Sequence, residues 1–414
     1  MLCFAALIYA LHTVLELRDR SHSWDFSIYY TSALSMREGH DPYTESLVPI
    51  GDRLGLKTAD LTRAADTPTY LLCFEPLTYL SPGAAYAVWF TLNLIAIIAS
   101  LWLLADRPTG LDRSSLIALV ALAILYRPMD DLLRLTQCQM LIVLMMILMK
   151  RWMERGRDSA AGLMLALAAL LRVYPIVMAG YLVIERRWRT LGYAILAGAV
   201  GAAITLGFVG WPRVLSFVAT IVGSHTMFAL PAVFQRGAAN VAIGPGVSRV
   251  FWAIFGVHLS PAMNLARRAI AGAAQMGVLA LTIFATIRRR GDDDREWRRF
   301  ALWVVTMVAI SPVAWLHYLV LTLIPFFLIA HAASRGRARP RTVWTMVAAY
   351  TAILLAMTLF KMMINRVGPP LIYVVAEGGF ATMILSYIAA YLYLRDGDVR
   401  PAPPFVVADA ADAG

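Results

Sequence analysis

Long apolar runs separated by short polar connections extend along most of the chain. A helix needs about 20 apolar residues to cross the hydrocarbon core of a bilayer, so the runs predict membrane-spanning helices. The candidate spans are residues 2–17, 82–104, 114–126, 132–148, 191–209, 269–287, 301–310, 319–333, 343–360 and 372–394. The pattern predicts an all-α polytopic membrane protein, a bundle of about 10–12 transmembrane helices with re-entrant segments and outer-face loops.

Two segments do not fit a simple crossing. Residues 159–184 lie between two basic clusters, and two crossings would need about 40 residues. Pro175 favours a helix break there, and non-helical backbone at membrane depth is tolerated only where it is buried in protein or lines a wet cavity. We therefore expect a re-entrant hairpin that turns at residues 172–175. Residues 211–268 are rich in Gly and Pro turns and predict a second outer region of partial helices and loops.

Basic clusters between the apolar runs predict the orientation of the chain. They lie at residues 150–157, 186–189, 288–299 and 335–341, and the positive-inside rule assigns such loops to the cytoplasm. Residues 18–81 then form a first outer loop region on the extracytoplasmic side, and both termini are cytoplasmic.

One transmembrane domain is predicted over residues 1–399. Residues 2–17 lack the basic region and the small-residue cleavage site of a signal peptide, so they predict a short first span or the end of a longer one. Residues 400–414 are rich in Ala, Pro and Asp and predict a disordered cytoplasmic tail.

Composition agrees with this assignment and limits the classes of partner. The chain is 60% hydrophobic and 15% charged, whereas charged residues make up about 25% of soluble globular domains. The net charge of +11 comes from arginines in the loops, which indicates topology and a lipid bilayer as partner, not a nucleic acid. Cys3, Cys73 and Cys138 show no ligand spacing, so neither a disulfide framework nor a zinc site is indicated.

The first outer region opens with an acid among aromatic residues. Asp25 follows the first apolar run and is flanked by Trp24, Tyr29 and Tyr30. An ionisable group at the end of a membrane helix is costly unless it is used or paired. The structural alternative is a helix cap in an aromatic belt, because Asp often starts helices and Trp and Tyr favour the interface. Taken alone, the segment favours the cap.

Further polar side chains collect at the predicted outer ends of the helices. The candidates are Tyr70, Asp131, Arg134, Gln137, Arg172, Asn240, Trp315 and His317. Arg172 lies within apolar sequence and needs an anion if it is buried; a lipid phosphate is suitable because the planar guanidinium can grip two oxygens.

Structural roles are the alternatives for the other candidates. Asp131 and Arg134 can belong to an interfacial salt-bridge network with Arg127 and Asp130. Gln137 can form a hydrogen bond between helices, which is common in membrane bundles. His317 can be a satisfied histidine at a helix end, although it follows a Ser-Pro break on the predicted outer face.

The order of these motifs resembles that of the bacterial glycosyltransferases of family 87. The features are Asp25-Phe26 with Tyr29-Tyr30, Gly39-His40-Asp41-Pro42-Tyr43, Thr69-Tyr70 ahead of Pro76-Leu77, Gln137 before an apolar helix, Tyr174-Pro175 before a basic loop, Asn240, and Ser311-Pro312 with Trp315 and His317-Tyr318. Family 87 commonly has Tyr-Pro-Pro, Gly-Gln-x-Asn and a lysine where this chain has Tyr70-Leu71-Leu72, Thr136-Gln137-Cys138-Gln139 and Arg172. These departures leave the acceptor and the sugar open.

The resemblance implies a GT-C fold and an inverting transfer of a sugar, with mannose as the expected sugar. The donor would be a polyprenyl-phosphate sugar, and the acceptor a glycolipid or glycan on the extracytoplasmic side of the bacterial inner membrane. Asp25 would be the catalytic base, and Arg172 and His317 would bind the donor phosphate, with His317 also catalytic. Substrate contacts would come from Tyr29, Tyr70, Asp131, Arg134, Gln137, Asn240 and Trp315. No cofactor is implied, and a metal at Asp25 and Asp131 stays open.

Other functions compatible with the sequence are transfer of arabinofuranose from a polyprenyl phosphate, lipid or solute transport, and a non-catalytic scaffold. Transporters tend to contain inverted repeats and broken helices at the midplane. This chain shows no repeat, and its polar residues collect on one predicted face, so the enzyme is preferred.

Overall fold

The computed structural model describes residues 7–9, 11–13, 15, 24–56, 63–105, 113–220, 240–256, 258–291, 295–363 and 371–396. The α-helices in this part of the chain are α1 (Trp24–Arg37), α2 (Val48–Arg53), α3 (Pro68–Phe74), α4 (Pro82–Ala105), α5 (Arg113–Ile124), α6 (Arg127–Leu135), α7 (Gln139–Glu154), α8 (Asp158–Leu171), α9 (Met178–Ile184), α10 (Trp188–Val209), α11 (Trp211–Val218), α12 (Ile243–Phe255), α13 (Pro261–Arg288), α14 (Glu296–Ala309), α15 (Leu323–Ser334), α16 (Pro340–Met363) and α17 (Leu371–Asp396). Short 3₁₀ helices cover Glu75–Tyr79, Tyr174–Val177 and Leu316–Thr322. The predicted all-α class is confirmed.

Exposed apolar side chains identify the surface that faces lipid. Among the described residues, α4, α10, α13 and the segment Leu316–Ser334 are long and apolar enough to cross a membrane. On α10, Phe208 is 76% exposed and Ile195 is 64% exposed; such a surface is stable in hydrocarbon and unfavourable in water. This confirms a multi-pass membrane protein, while the total of about 10–12 spans stays a prediction.

The predicted span 132–148 is not one straight helix. Helices α6 and α7 meet at an angle of 118°, because Thr136 adopts a left-handed conformation with φ 55°. That conformation costs a non-glycine residue about 1–2 kcal/mol. The break is held by a hydrogen bond of 2.7 Å from Trp89 Nε1 to the Thr136 carbonyl and one of 3.0 Å from the Gln137 N–H to the Leu132 carbonyl. It places Gln137 inside the protein.

Two other boundaries bear on the sequence predictions. Helix α8 ends at Leu171, and Arg172 is extended before the next 3₁₀ turn, so the chain is interrupted where the re-entrant turn was expected. Helix α13 begins at Pro261, earlier than the predicted 269, because the Ser260 side chain caps it by accepting from the Met263 N–H at 3.3 Å.

Several predictions concern segments outside the described residues. Most of the first span over residues 2–17 lies there, as do the tail over residues 400–414 and residues 221–239 of the second outer region. The assignments made for them stay predictions.

Helix α14 forms the centre of the bundle. Its residues from Trp297 to Ala309 are all buried, and α9, α13, α15 and α17 pack around it. The approach of α9 is close because Gly180 has no side chain: a Cβ there would lie 2.8 Å from the Trp303 ring.

At the start of α14, ion pairs join the predicted cytoplasmic loops. Glu296 binds Lys150 at 3.1 Å and Arg187 at 3.0 Å, and Arg299 binds Glu185 at 2.6 Å.

Candidate active site

An aromatic cluster anchors the helix that carries Asp25. One face of α1 buries Phe26, Tyr29 and Tyr30. The Tyr29 ring lies edge-on to Tyr70 at 5.0 Å, and Phe26 lies edge-on to Tyr86 at 5.2 Å, the geometry that aromatic pairs prefer. This packing fixes the first turn of α1, where Asp25 lies with part of its surface open.

Gln137 links Asp25 to Arg172. Its amide nitrogen donates a hydrogen bond to Asp25 Oδ2, and its amide oxygen accepts one of 3.2 Å from Arg172 Nη2. The opposite amide orientation would place the NH₂ group against the guanidinium, a contact of two donors. Arg172 therefore sets the orientation in which Gln137 donates to the carboxylate.

Arg172 is surrounded by protein partners. Its Nη1 forms an ion pair with Asp66, its Nη2 also donates to the Tyr29 hydroxyl at 3.3 Å, and its Nε donates to Cys138 Sγ at 3.3 Å. The guanidinium carbon lies 4.8 Å from the centre of the Tyr70 ring. Sequence analysis expected an anion for this arginine but did not identify Asp66.

Thr67 brings Asp66 to Arg172. The Thr67 hydroxyl caps α3 by accepting from the Tyr70 N–H at 3.2 Å. The single proton of the same hydroxyl is donated to the Leu170 carbonyl at 2.7 Å, with the Leu171 carbonyl 3.2 Å away as a second acceptor, at the end of α8. The residues next to these contacts, Asp66 and Arg172, consequently meet. The only sequence signal was an acid before a Thr-Pro helix start, which is as typical of a cap as of a site.

His317 contacts Asp131, which follows Asp130 on α6. His317 Nδ1 lies 3.4 Å from Asp131 Oδ2, and the imidazole is buried while its Nε2 has no hydrogen-bond partner in the described part of the chain. Asp130 faces elsewhere: its Oδ1 accepts from Arg134 Nε at 2.9 Å, and it also pairs with Arg127. In the described residues, the salt-bridge network joins Asp130 to Arg127 and Arg134, while Asp131 contacts His317.

The pKa of Asp25 is raised above its usual value by burial. The charge of His317, the Gln137 hydrogen bond and the charge of Arg172 act in the opposite direction, while the charge of Asp66 adds to the rise. A carboxyl group with a raised pKa is a stronger base when ionised, which suits proton abstraction near neutral pH.

Asn240 and Trp315 lie next to His317 in an isolated antiparallel bridge. The Asn240 side-chain oxygen accepts from the backbone N–H groups of Ala242 and Ala314, at 3.2 and 3.1 Å. These bonds fix the loop that leads into the His317 helix. Substrate contact by Asn240, Trp315 and Arg134 stays a prediction, since each already has protein partners.

Metal ligands do not cluster in the described residues: no three His, Cys, Asp or Glu side chains there are placed to share an ion.

An apolar groove lies beside α6, the helix whose Asp131 contacts His317. Its volume is about 510 Å³, and it lies between α4, α5 and α6. Leu101, Val120 and Leu133 are among the apolar residues that line it, and Asp130 and Tyr9 are among the polar ones. Its size is in the range of small-molecule sites, about 300–1,000 Å³.

Comparisons with known proteins identify a family. The model of glycosyltransferase family 87 matches residues 66–312, a range that includes Asp66, Gln137 and Arg172 and lies between Asp25 and His317. Crystal structures of ArnT from Cupriavidus metallidurans, in the apo state and bound to undecaprenyl phosphate, are similar at 15% and 14% identity, each with a TM-score of 0.39 and covering 94% of this chain and 76% of that chain. The sequence matches none of the curated proteins with which it was compared.

Proposed function

The chain belongs to glycosyltransferase family 87, and from this membership we propose that it is a polyprenyl-phosphate-dependent enzyme of the GT-C type. It transfers mannose by inversion to a glycolipid or glycan acceptor. Asp25 is the proposed base, and Arg172 with His317 the proposed partners of the donor phosphate. The observation that supports these roles is the chain of contacts from Asp25 through Gln137 to Arg172, which joins a carboxylate to a buried cation.

In the proposed reaction, Asp25 accepts the proton of an acceptor hydroxyl while that oxygen forms a bond to the anomeric carbon of the sugar. The bond from the anomeric carbon to the phosphate oxygen breaks, and its electron pair stays with the phosphate. The phosphodiester becomes a phosphate monoester and gains negative charge, so cations placed beside it lower the barrier. Gln137 holds Asp25 Oδ2, and the acceptor hydroxyl would donate to the other oxygen.

The surroundings support a lipid-linked donor. The groove beside α6 is lined mainly by apolar side chains, and we propose that it takes part of the polyprenyl chain. The site would face the extracytoplasmic side, because the ion pairs of Lys150, Arg187 and Arg299 lie at the helix ends and loops of the basic clusters that the positive-inside rule assigns to the cytoplasm.

The experiment measures transfer from radiolabelled polyprenyl-phosphate mannose to a bacterial membrane lipid extract by the purified protein in nanodiscs. Asp25→Asn should reduce the rate by about 10²–10⁴-fold, the usual contribution of a general base. Asp158→Asn is the matched control: it neutralises an acid at the far end of α8 from Arg172, bonded to Thr190, and should leave the rate unchanged. Equal rates for wild type and Asp25→Asn would remove the base assignment. If the protein transfers sugar from polyprenyl-phosphate arabinofuranose but not from the mannose donor, arabinofuranose replaces mannose as the proposed sugar.

A further inference from the structure

The cation proposed to bind the donor phosphate already has an anion. Arg172 and Asp66 form an ion pair in which their side chains are 13% and 7% exposed. Removing a charge from water costs several kcal/mol unless it is paired, so an arginine in this position requires such a partner when no phosphate is present.

We infer that Asp66 is a resting counter-ion of Arg172 that competes with the phosphate of the lipid carrier, and that this competition promotes release of the product phosphate. The inference rests on the proposed function, in which Arg172 binds that phosphate. Asp66 is a positioning residue, because it acts on the phosphate only through Arg172 and through its own charge.

The geometry accounts for the competition. The Arg172 donors are distributed over Asp66, Tyr29, Gln137 and Cys138. Of these partners, Asp66 is the one with a carboxylate, and Nη1 is the guanidinium nitrogen that it engages. A phosphate oxygen that binds Nη1 must share it with Asp66 or displace Asp66 from it. Tyr29 and Gln137 bind Nη2 and can keep the guanidinium in place during that exchange.

The charge of the ligand decides how strongly Asp66 opposes it. A sugar phosphodiester has one negative charge, whereas the monoester product has a charge of about −1.5 to −2 near pH 7. Repulsion by the Asp66 carboxylate grows with the charge of the ligand, so it disfavours the product more than the donor. The same pair that stabilises the empty site thus weakens binding of the lipid phosphate after transfer.

The test compares binding of farnesyl phosphate, a short polyprenyl monophosphate, to wild type and Asp66→Asn in nanodiscs. Asparagine has the shape of aspartate without its charge, and we expect Asp66→Asn to bind farnesyl phosphate about tenfold more tightly, equivalent to about 1.4 kcal/mol. Uncharged farnesol should bind both proteins equally, and Asp158→Asn should behave as wild type. In the transfer assay, Asp66→Asn should show a lower kcat and stronger inhibition by farnesyl phosphate.

The opposite result identifies a purely structural role. If Asp66 only holds Arg172 in place, Asp66→Asn will bind farnesyl phosphate more weakly than wild type or equally well, and the inference is then wrong. If Arg172→Ala binds farnesyl phosphate as wild type does, the phosphate assignment of the proposed function fails, irrespective of Asp66. Should Asp66→Asn not yield folded protein, Asp66→Ser removes the same charge with a smaller side chain and gives the same comparison.

Discussion

Replacing Gln137 with glutamate should move the pH dependence of transfer toward higher pH. In the wild type, the Gln137 NH₂ group donates to Asp25 Oδ2 while its oxygen accepts from Arg172. Glutamate keeps the acceptor for Arg172 but presents an oxygen to Asp25. The charged form of Asp25 thus loses a hydrogen bond and gains a negative neighbour, and both changes raise the pKa of Asp25 further.

The size of the shift follows from the lost hydrogen bond. A hydrogen bond to a charged group contributes about 1.5–3 kcal/mol, and one pKa unit corresponds to about 1.36 kcal/mol. Loss of the hydrogen bond alone should therefore raise the pKa of Asp25 by about one to two units, and in Gln137→Glu the negative charge of the glutamate adds to this rise. Asp25 acts as a base only when ionised, so activity is lost as the pH falls through its pKa. The acidic limb of the profile should move upward by the same amount.

The measurement is kcat/KM as a function of pH, which reports ionisations of the free enzyme. Gln137→Ala loses the hydrogen bond without adding a charge, so its acidic limb should move less than that of Gln137→Glu. Asp158→Asn should leave the profile unchanged. A Gln137→Glu profile that superimposes on the wild type, in protein that elutes as a folded species, would refute the assignment of Asp25 as the titrating base.

Three further predictions concern other parts of the protein. Asp131→Asn weakens the carboxylate contact that orients His317. It should lower kcat by about tenfold, less than the 10²–10⁴-fold contribution of a group that itself transfers a proton, with little change in donor KM. A change confined to KM would contradict this prediction. Glu185→Gln removes the carboxylate charge that pairs with the buried Arg299 and should cost about 3–5 kcal/mol of stability, seen as a lower unfolding temperature in detergent with unchanged donor KM. Leu101→Trp narrows the apolar groove, and overpacking costs about 1–3 kcal/mol. The KM for a long-chain donor should therefore rise several-fold more than the KM for farnesyl-phosphate mannose. Equal increases in the two KM values would exclude the groove as the lipid site.

Helices made of uninterrupted apolar sequence were predicted closely. The expected spans 82–104 and 191–209 correspond to Pro82–Ala105 and Trp188–Val209. Burial in a bilayer depends on local composition, so a local pattern is sufficient to find them. The family was predicted from motif order and is confirmed by the match over residues 66–312.

Pairings between distant residues were not predictable from local pattern. Asp66 and Arg172 are 106 residues apart, and nothing near either residue indicates the other. The sharp bend at Thr136 was also missed, because residues 132–148 are apolar enough for a span and contain neither Gly nor Pro. The bend is stabilised by Trp89 from another helix, and such tertiary contacts override local preference.

The proposed site lies where three helices are interrupted, and the interruptions explain why its polar groups are close together. A helix that ends inside the protein leaves backbone groups that must find partners. Near the Thr136 bend the partner is Trp89, at the end of α8 it is Thr67, and at the loop before His317 it is Asn240.

A residue of the proposed site follows each of these contacts along the chain. Gln137 follows Thr136, Arg172 follows Leu171, and His317 comes shortly after Ala314. The bonds that satisfy the broken helices therefore also set the positions of the amide, the guanidinium and the imidazole around Asp25. A rigid arrangement of this kind is what a preorganised catalytic site requires, because the side chains need no rearrangement of the backbone when charge develops on the phosphate.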